Sequence, residues 1–98
     1  MKGIHSESVD RLFDAFLRLK TREECYDFFE DICTVKEIED MAKRLDTAFL
    51  LDDGVNYRDI CEQVGVSTAT ISRVNRCLNY GSGGYRKMLD SFNEGPQE

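Results

Sequence analysis

Apolar residues along the chain return at three- and four-residue spacings, and nowhere hold the two-residue alternation of a half-buried strand for a useful length. Val9, Leu12, Phe13, Phe16 and Leu17 form the first such stripe and predict an amphipathic helix. Thr21 with Glu24 has the capping-box spacing, in which a hydroxyl takes the third amide and a carboxylate reaches back to the start. It opens a second helix with Cys25, Phe28, Phe29 and Ile32 on its apolar face. Thr34 with Glu37 repeats the box ahead of the longest stripe, Ile38, Met41, Leu45, Ala48 and Phe49, with Gly54 a natural stop after Asp53. Asn56 caps a short helix carrying Tyr57, Ile60, Cys61 and Val64. Gly65-Val66 interrupts it, and Ser67 caps a fifth helix running to about Asn79. Gly81-Ser82-Gly83-Gly84 reads as a flexible break. Tyr85, Met88, Leu89 and Phe92 mark a last helix, and the tail from Asn93 onward is expected to fray. The pattern predicts an all-α chain of six helices, organised as one domain over residues 1–98.

Length and composition sharpen that reading. At 98 residues a monomer buries only roughly 60–65% of its unfolded surface, so an oligomer that shares its core is expected. The concentration of Phe13, Phe16, Phe28, Phe29 and Phe49 in the first half fits core packing or a dimer interface better than a ligand cavity. The longest apolar run, Ala48–Leu51, is far short of the roughly 18 residues of a membrane span, and the start of the chain has no signal-peptide core. A cytoplasmic protein is expected. Cys25, Cys33, Cys61 and Cys77 form no close pair and the single histidine is His5, which argues against zinc and against a disulfide framework. Each cysteine falls on an apolar or helix-packing position, so buried free thiols are expected. No acid pair or histidine stands beside a nucleophile, and the Gly81–Gly84 run lacks the Lys-Ser/Thr ending of a phosphate loop, so enzymatic chemistry is not expected.

The informative stretch is residues 56–79, where a short helix, a turn at Gly65 and a second helix capped by Ser67 have the layout of a helix-turn-helix. Ile60, Val64, Ile71 and Val74 are the residues that would wedge the two helices together. Cys61 is small where they cross, and Val66 plugs the space beneath the turn. An ordinary helical hairpin has the same apolar pattern. The outer side of the second helix separates the two readings. Its tip, Ser67-Thr68-Ala69-Thr70, is small and polar, Ser72, Arg73 and Arg76 follow, and no acid occurs between Gln63 and Lys87. Small residues let a helix tip approach base edges in the major groove, and hydroxyls and arginines bond edges and phosphates. Residues 56–87 carry a formal charge of +3 within a chain of −6. A locally basic face on an acidic protein predicts modest, salt-sensitive binding to duplex DNA with few phosphate contacts. The alternative is a protein-interaction module whose basic face meets an acidic partner.

Three segments carry a family resemblance: Thr34-Val35-Lys36-Glu37-Ile38-Glu39-Asp40, Tyr57-Arg58-Asp59-Ile60, and the run from Ser67 through Ile71-Ser72-Arg73-Val74-Asn75-Arg76-Cys77-Leu78-Asn79-Tyr80 to Tyr85. They resemble the YerC/YecD branch of the bacterial Trp-repressor family over nearly the whole chain, and the run from Ala69 to Tyr85 is highly specific to that branch. The resemblance implies a six-helix, intertwined homodimer with a helix-turn-helix on each subunit, the first three helices and the last forming the shared core. It implies a bacterial, nucleoid-associated transcriptional regulator, a repressor by analogy, on a palindromic operator. By position in the family motif, Arg58, Thr68, Ala69 and Ser72 would face bases, some through water. Ser67 and Thr70 complete the helix tip, and Tyr57, Arg73 and Arg76 are assigned to backbone or groove contacts from charge and exposure.

In tryptophan-responsive members two arginines sandwich the indole and threonines help to hold the amino acid; the matching residues here are Arg44 and Arg73, with Thr34 and Thr70 nearby. Val74 stands where those members have glycine, and Cys77 where they have serine. A valine would project toward the ligand, and a thiol is a poorer partner for the charged ends of an amino acid. Tryptophan is therefore not expected as corepressor, and no cofactor is expected.

Overall fold

The computed structural model describes residues 2–94. A side-chain oxygen starts five of its six α-helices. Ser6 Oγ accepts from the Val9 N–H at 3.1 Å and opens α1, Glu7–Phe16. Thr21 Oγ1 does the same for Glu24 at 3.0 Å and opens α2, Arg22–Ile32. Thr34 Oγ1 and the Glu37 N–H, 3.1 Å apart, open α3, Val35–Asp52. Asn56 opens α4, Tyr57–Val64, and Ser67 opens α5, Thr68–Tyr80. The sixth, α6, Gly84–Asn93, follows Gly83 and has no side-chain cap. Each cap satisfies one of the amides that a helix leaves unpaired at its first turn. A short 3-10 turn, Lys2–Ile4, precedes α1.

At α3 the box is reciprocal. The Thr34 N–H donates to Glu37 Oε1 at 2.8 Å while the Thr34 hydroxyl takes the Glu37 amide. The backbone bond first, and the hydroxyl second, hold the Glu37 carboxyl below its ordinary range.

The chain divides into two compact units, Met1–Ile38 and Glu39–Glu98. In the first, Phe16 sits among three rings. Phe29 stacks on it at 5.0 Å between centroids, Phe28 meets it edge-on at 5.8 Å, and Phe13 lies tilted at 6.0 Å. Neither α1 nor α2 has a fully buried residue. Leu17, which the periodicity placed on the α1 face, instead caps the helix and is 82% exposed, because α1 ends at Phe16.

The second unit holds the core. Ala48 of α3, Val74 of α5 and Leu89 of α6 meet there, with Phe49, Leu51, Leu78 and Tyr85 packed around them. Within this unit the Phe49 ring meets Phe92 of α6 edge-on at 5.2 Å. Thr47 is the one buried polar residue among those described, and its hydroxyl donates to the Lys43 carbonyl at 2.8 Å. Arg86 donates to Asp52 at 2.6 Å and to Asp90 at 3.3 Å, tying the start of α6 to the end of α3. It also offsets the unfavourable placing of a carboxylate at a helix C-terminus.

One further expectation is corrected. The four cysteines are free thiols but none is buried: Cys25 and Cys77 are exposed, Cys33 and Cys61 half-buried. The apolar faces on which Cys25 and Cys77 sit border open depressions of this chain, not packed interior. The glycine run does separate α5 from α6. Gly81 closes α5 with its N–H on the Cys77 carbonyl, and a Cβ there would collide with that same carbonyl. Asn93 is still helical, and residues 95–98 of the tail lie outside those described.

Candidate nucleic-acid interface

The α4–turn–α5 segment is organised around two isoleucines. Ile60 of α4 and Ile71 of α5 are both 0% exposed, and Val74, one turn further along α5, is 2% exposed. Burying a side chain of this size stabilises by about 1.5–3 kcal/mol. Val64, Cys61 and Val66 of the same segment are half-buried. Between the helices Gly65 ends α4 at φ 80°, its N–H bonded to the Cys61 carbonyl. That left-handed backbone suits glycine, and it lets the chain reverse within three residues before Ser67 starts α5.

With Ile71 and Val74 turned inward, the helical period puts Thr68, Ala69, Ser72, Arg73 and Arg76 on the exposed side of α5. Ser67 Oγ accepts from the Thr70 N–H at 3.2 Å and donates to Thr70 Oγ1 at 3.2 Å, so the tip is held by its own hydroxyls. The first turn of α5 contains no acid, which leaves the positive end of the helix dipole unneutralised. Neither Arg73 nor Arg76 forms an ion pair among the described residues. On α4, Tyr57 is half-buried at the first position, and Arg58 stands out beside it, 3.7 Å from Glu62. That pair is exposed and of small energetic consequence, so Arg58 can turn to another anion at little cost.

Behind this face lies a cavity of about 230 Å³ lined by Arg44 of α3, Thr70, Arg73, Val74 and Cys77 of α5, and Tyr85 of α6. Three of the four residues picked out in sequence for a small effector, Arg44, Thr70 and Arg73, therefore come together. Thr34 is the exception to that grouping: it belongs to the first unit, where its hydroxyl is engaged as the α3 cap. Tyr85 was missed in sequence, where it reads as one more apolar residue of α6. A tyrosine's polar tip is the only local signal it offered. Burial, then the neighbouring Cys77 thiol, push the Tyr85 hydroxyl above its ordinary value, with Arg44 and Arg73 opposing them. It is therefore a protonated donor at neutral pH.

The chain matches the family model described as Trp repressor protein over residues 7–93. It is a member of the Trp repressor family. Members of the Trp repressor family are DNA-binding transcription regulators, not enzymes. The chain is 48% identical over 91 residues to the protein YerC of Bacillus subtilis, covering 93% of this chain and 88% of YerC. It is 34% identical over 77 residues to a Trp operon repressor homolog of Chlamydia caviae, covering 78% of this chain and 76% of that protein. A TrpR-like protein from Eubacterium eligens superposes with a TM-score of 0.91 at 43% identity, over 99% of this chain and 100% of the other. The six helices and the helix-turn-helix are thus those of a Trp repressor-like fold. No helix among the described residues is long and apolar enough to cross a membrane.

Proposed function

We propose that this Trp repressor family member is a single-domain, cytoplasmic, nucleoid-associated repressor that binds a palindromic operator as a homodimer, without tryptophan. The observation that carries the reading is the outer side of α5: a small hydroxyl-bearing tip, no acid, and two arginines without ion pairs among the described residues, mounted on a buried inner side of Ile71 and Val74. In this arrangement Arg58, Thr68, Ala69 and Ser72 reach base edges, and Tyr57, Ser67, Thr70, Arg73 and Arg76 hold the backbone and the groove wall.

The homodimer is supported by the first unit. Its helices leave Phe13, Leu17, Tyr26 and Ile32 exposed and bury nothing completely, as expected of faces that a second copy covers. Two copies related by a two-fold axis read half-sites about 34 Å apart, one turn of duplex. Tryptophan independence is supported by the Val74 methyls and the Cys77 thiol in the cavity wall.

Selection of bound fragments from random duplex DNA, at low and near-physiological salt and without ligand, tests the reading. The expected result is one enriched palindrome that survives the higher salt. Binding only at low salt, without sequence preference, would overturn it. Light scattering on the same sample should give twice the chain mass at micromolar concentration; a folded monomer there refutes the homodimer.

A further inference from the structure

α5 continues well beyond its tip, and its outer side keeps one line to the end. Ala69, Arg73, Arg76 and Tyr80 follow one another at the four- and three-residue spacings that return to the same side of a helix, and all four are exposed. Tyr80 is the last residue of α5 and is 87% exposed, the highest value for a large apolar side chain among the described residues. The other exposed side chains of that kind lie outside α4 and α5. Its neighbours leave it clear. Asn79 is turned back along the helix, its Nδ2 donating to the Asn75 carbonyl and to Asn75 Oδ1, both at 2.9 Å. Gly81 follows without a side chain, where a Cβ would collide with the Cys77 carbonyl.

We propose that Tyr80 is a positioning residue for DNA: its hydroxyl donates to a backbone phosphate at the edge of each half-site and fixes how far α5 leans along the groove wall. The proposal rests on the DNA-binding reading of α5 and adds a residue to it. From Ala69 to Tyr80 the helix rises about 17 Å, at about 1.5 Å per residue. The major groove is about 12 Å wide and about 8.5 Å deep, so a helix with its tip at the base edges carries Tyr80 out to the bordering phosphates. The last turn of α5 has no basic residue and holds the negative end of the helix dipole, which repels a phosphate. A donor at that end has to stand clear of the terminal carbonyls. The tyrosine ring holds its hydroxyl away from them, with only two side-chain torsions to fix. Hydrogen bonds to phosphate set register and orientation without reading sequence.

The test uses the full chain, the duplex obtained by the DNA selection, and Tyr80→Phe, which removes the hydroxyl alone. Binding should weaken by about tenfold, for two neutral hydrogen bonds per palindrome. The slope of log affinity against log salt should not change, because a neutral hydroxyl releases no counterion. Single uncharged methylphosphonates, placed in turn along the half-site, locate the partner. At one flanking position the unaltered chain should lose more affinity than Tyr80→Phe does, the signature of a direct contact. Tyr80 is exposed, so the melting temperature of the variant should equal that of the unaltered chain. The proposal is overturned if Tyr80→Phe binds as tightly as the unaltered chain, if no phosphate distinguishes the two proteins, or if weaker binding comes with a lower melting temperature. A loss seen with Tyr80→Ala and not with Tyr80→Phe would assign the contact to the ring and overturn the hydroxyl's role. If the unaltered chain selects no duplex, the DNA-binding reading and this proposal fall together; a selected duplex that Tyr80→Phe binds equally well sinks this proposal alone.

Discussion

Ile71 and Ser72 are neighbours in sequence on α5, yet one is 0% exposed and the other lies on the outer face. Replacing each by alanine isolates what burial contributes to the helix-turn-helix. Ile71→Ala removes three carbons, a transfer loss of about 2–2.5 kcal/mol, and the cavity left at this fully buried position brings the total to about 3–4 kcal/mol. Against a domain stability of about 5–15 kcal/mol that is a large fraction, and in a chain of this size it lowers the melting temperature by about 12–25 °C. Ser72→Ala removes one exposed hydroxyl and should change stability by no more than about 0.5 kcal/mol. Urea titrations followed by circular dichroism, at one fixed protein concentration so that association contributes equally, measure both. A cost below about 1 kcal/mol for Ile71→Ala, or a comparable cost for Ser72→Ala, would refute the assignment of inner and outer faces on which the DNA-binding reading depends.

Three other perturbations probe separate features. Arg73→Ala should weaken operator binding and reduce the slope of log affinity against log salt by about one, with an unchanged melting temperature; a large drop in stability with DNA binding intact would make the residue structural. Gly65→Ala forces a side chain into the left-handed region at φ 80°. Nothing lies within 4 Å of the added carbon, so the expected loss of about 1–2 kcal/mol in a denaturant titration is a backbone penalty, and no loss would mean the turn relaxes freely. Hydrogen bonds from Thr34, its backbone first and its side chain second, hold the Glu37 carboxyl below its ordinary value. Its contribution is fully present above that value and disappears as the pH falls through the lower folded one, so melting temperatures measured down to about pH 3 should show an acid loss that Glu37→Gln abolishes. An identical acid profile in the two proteins would exclude the box as its source.

Features decided within four residues were readable from the chain itself. Thr21, Thr34, Asn56 and Ser67 each cap the helix that their spacing announced, and Gly65 turns where a turn was required. Ser6 does the same for α1 but was not singled out, because the third position after it is Val9, not the glutamate of a capping box. Features decided by distant packing were not readable. Phe49 looks like one of five clustered phenylalanines, yet its partner Phe92 is far along the chain on α6. The cysteines occupy apolar positions whose burial depends on what covers the face, and among the described residues Cys25 and Cys77 stay exposed. Of the four candidate effector residues named by resemblance, Arg44, Thr70 and Arg73 line one cavity while Thr34 caps α3, and Tyr85 joins that lining because α6 brings its first turn there.

The uncapped start of α6 means that its first turn is held differently from the others. The other five helices begin at an uncharged hydroxyl or amide cap, joined at α2 and α3 by the Glu24 and Glu37 carboxylates, which accept from the Lys20 and Thr34 N–H groups. The first turn of α6 begins at Gly83 and is fastened instead by Arg86 reaching Asp52 and Asp90, charges that are partly exposed. Mobile ions screen such pairs over about 8–10 Å at cellular concentrations. Local stability in this chain is therefore graded, and the start of α6, fastened by ion pairs and no cap, answers most to the ionic medium. In amide hydrogen exchange the backbone around Tyr85 should be the first to open as potassium chloride is added, while the α4–α5 pair keeps its protection.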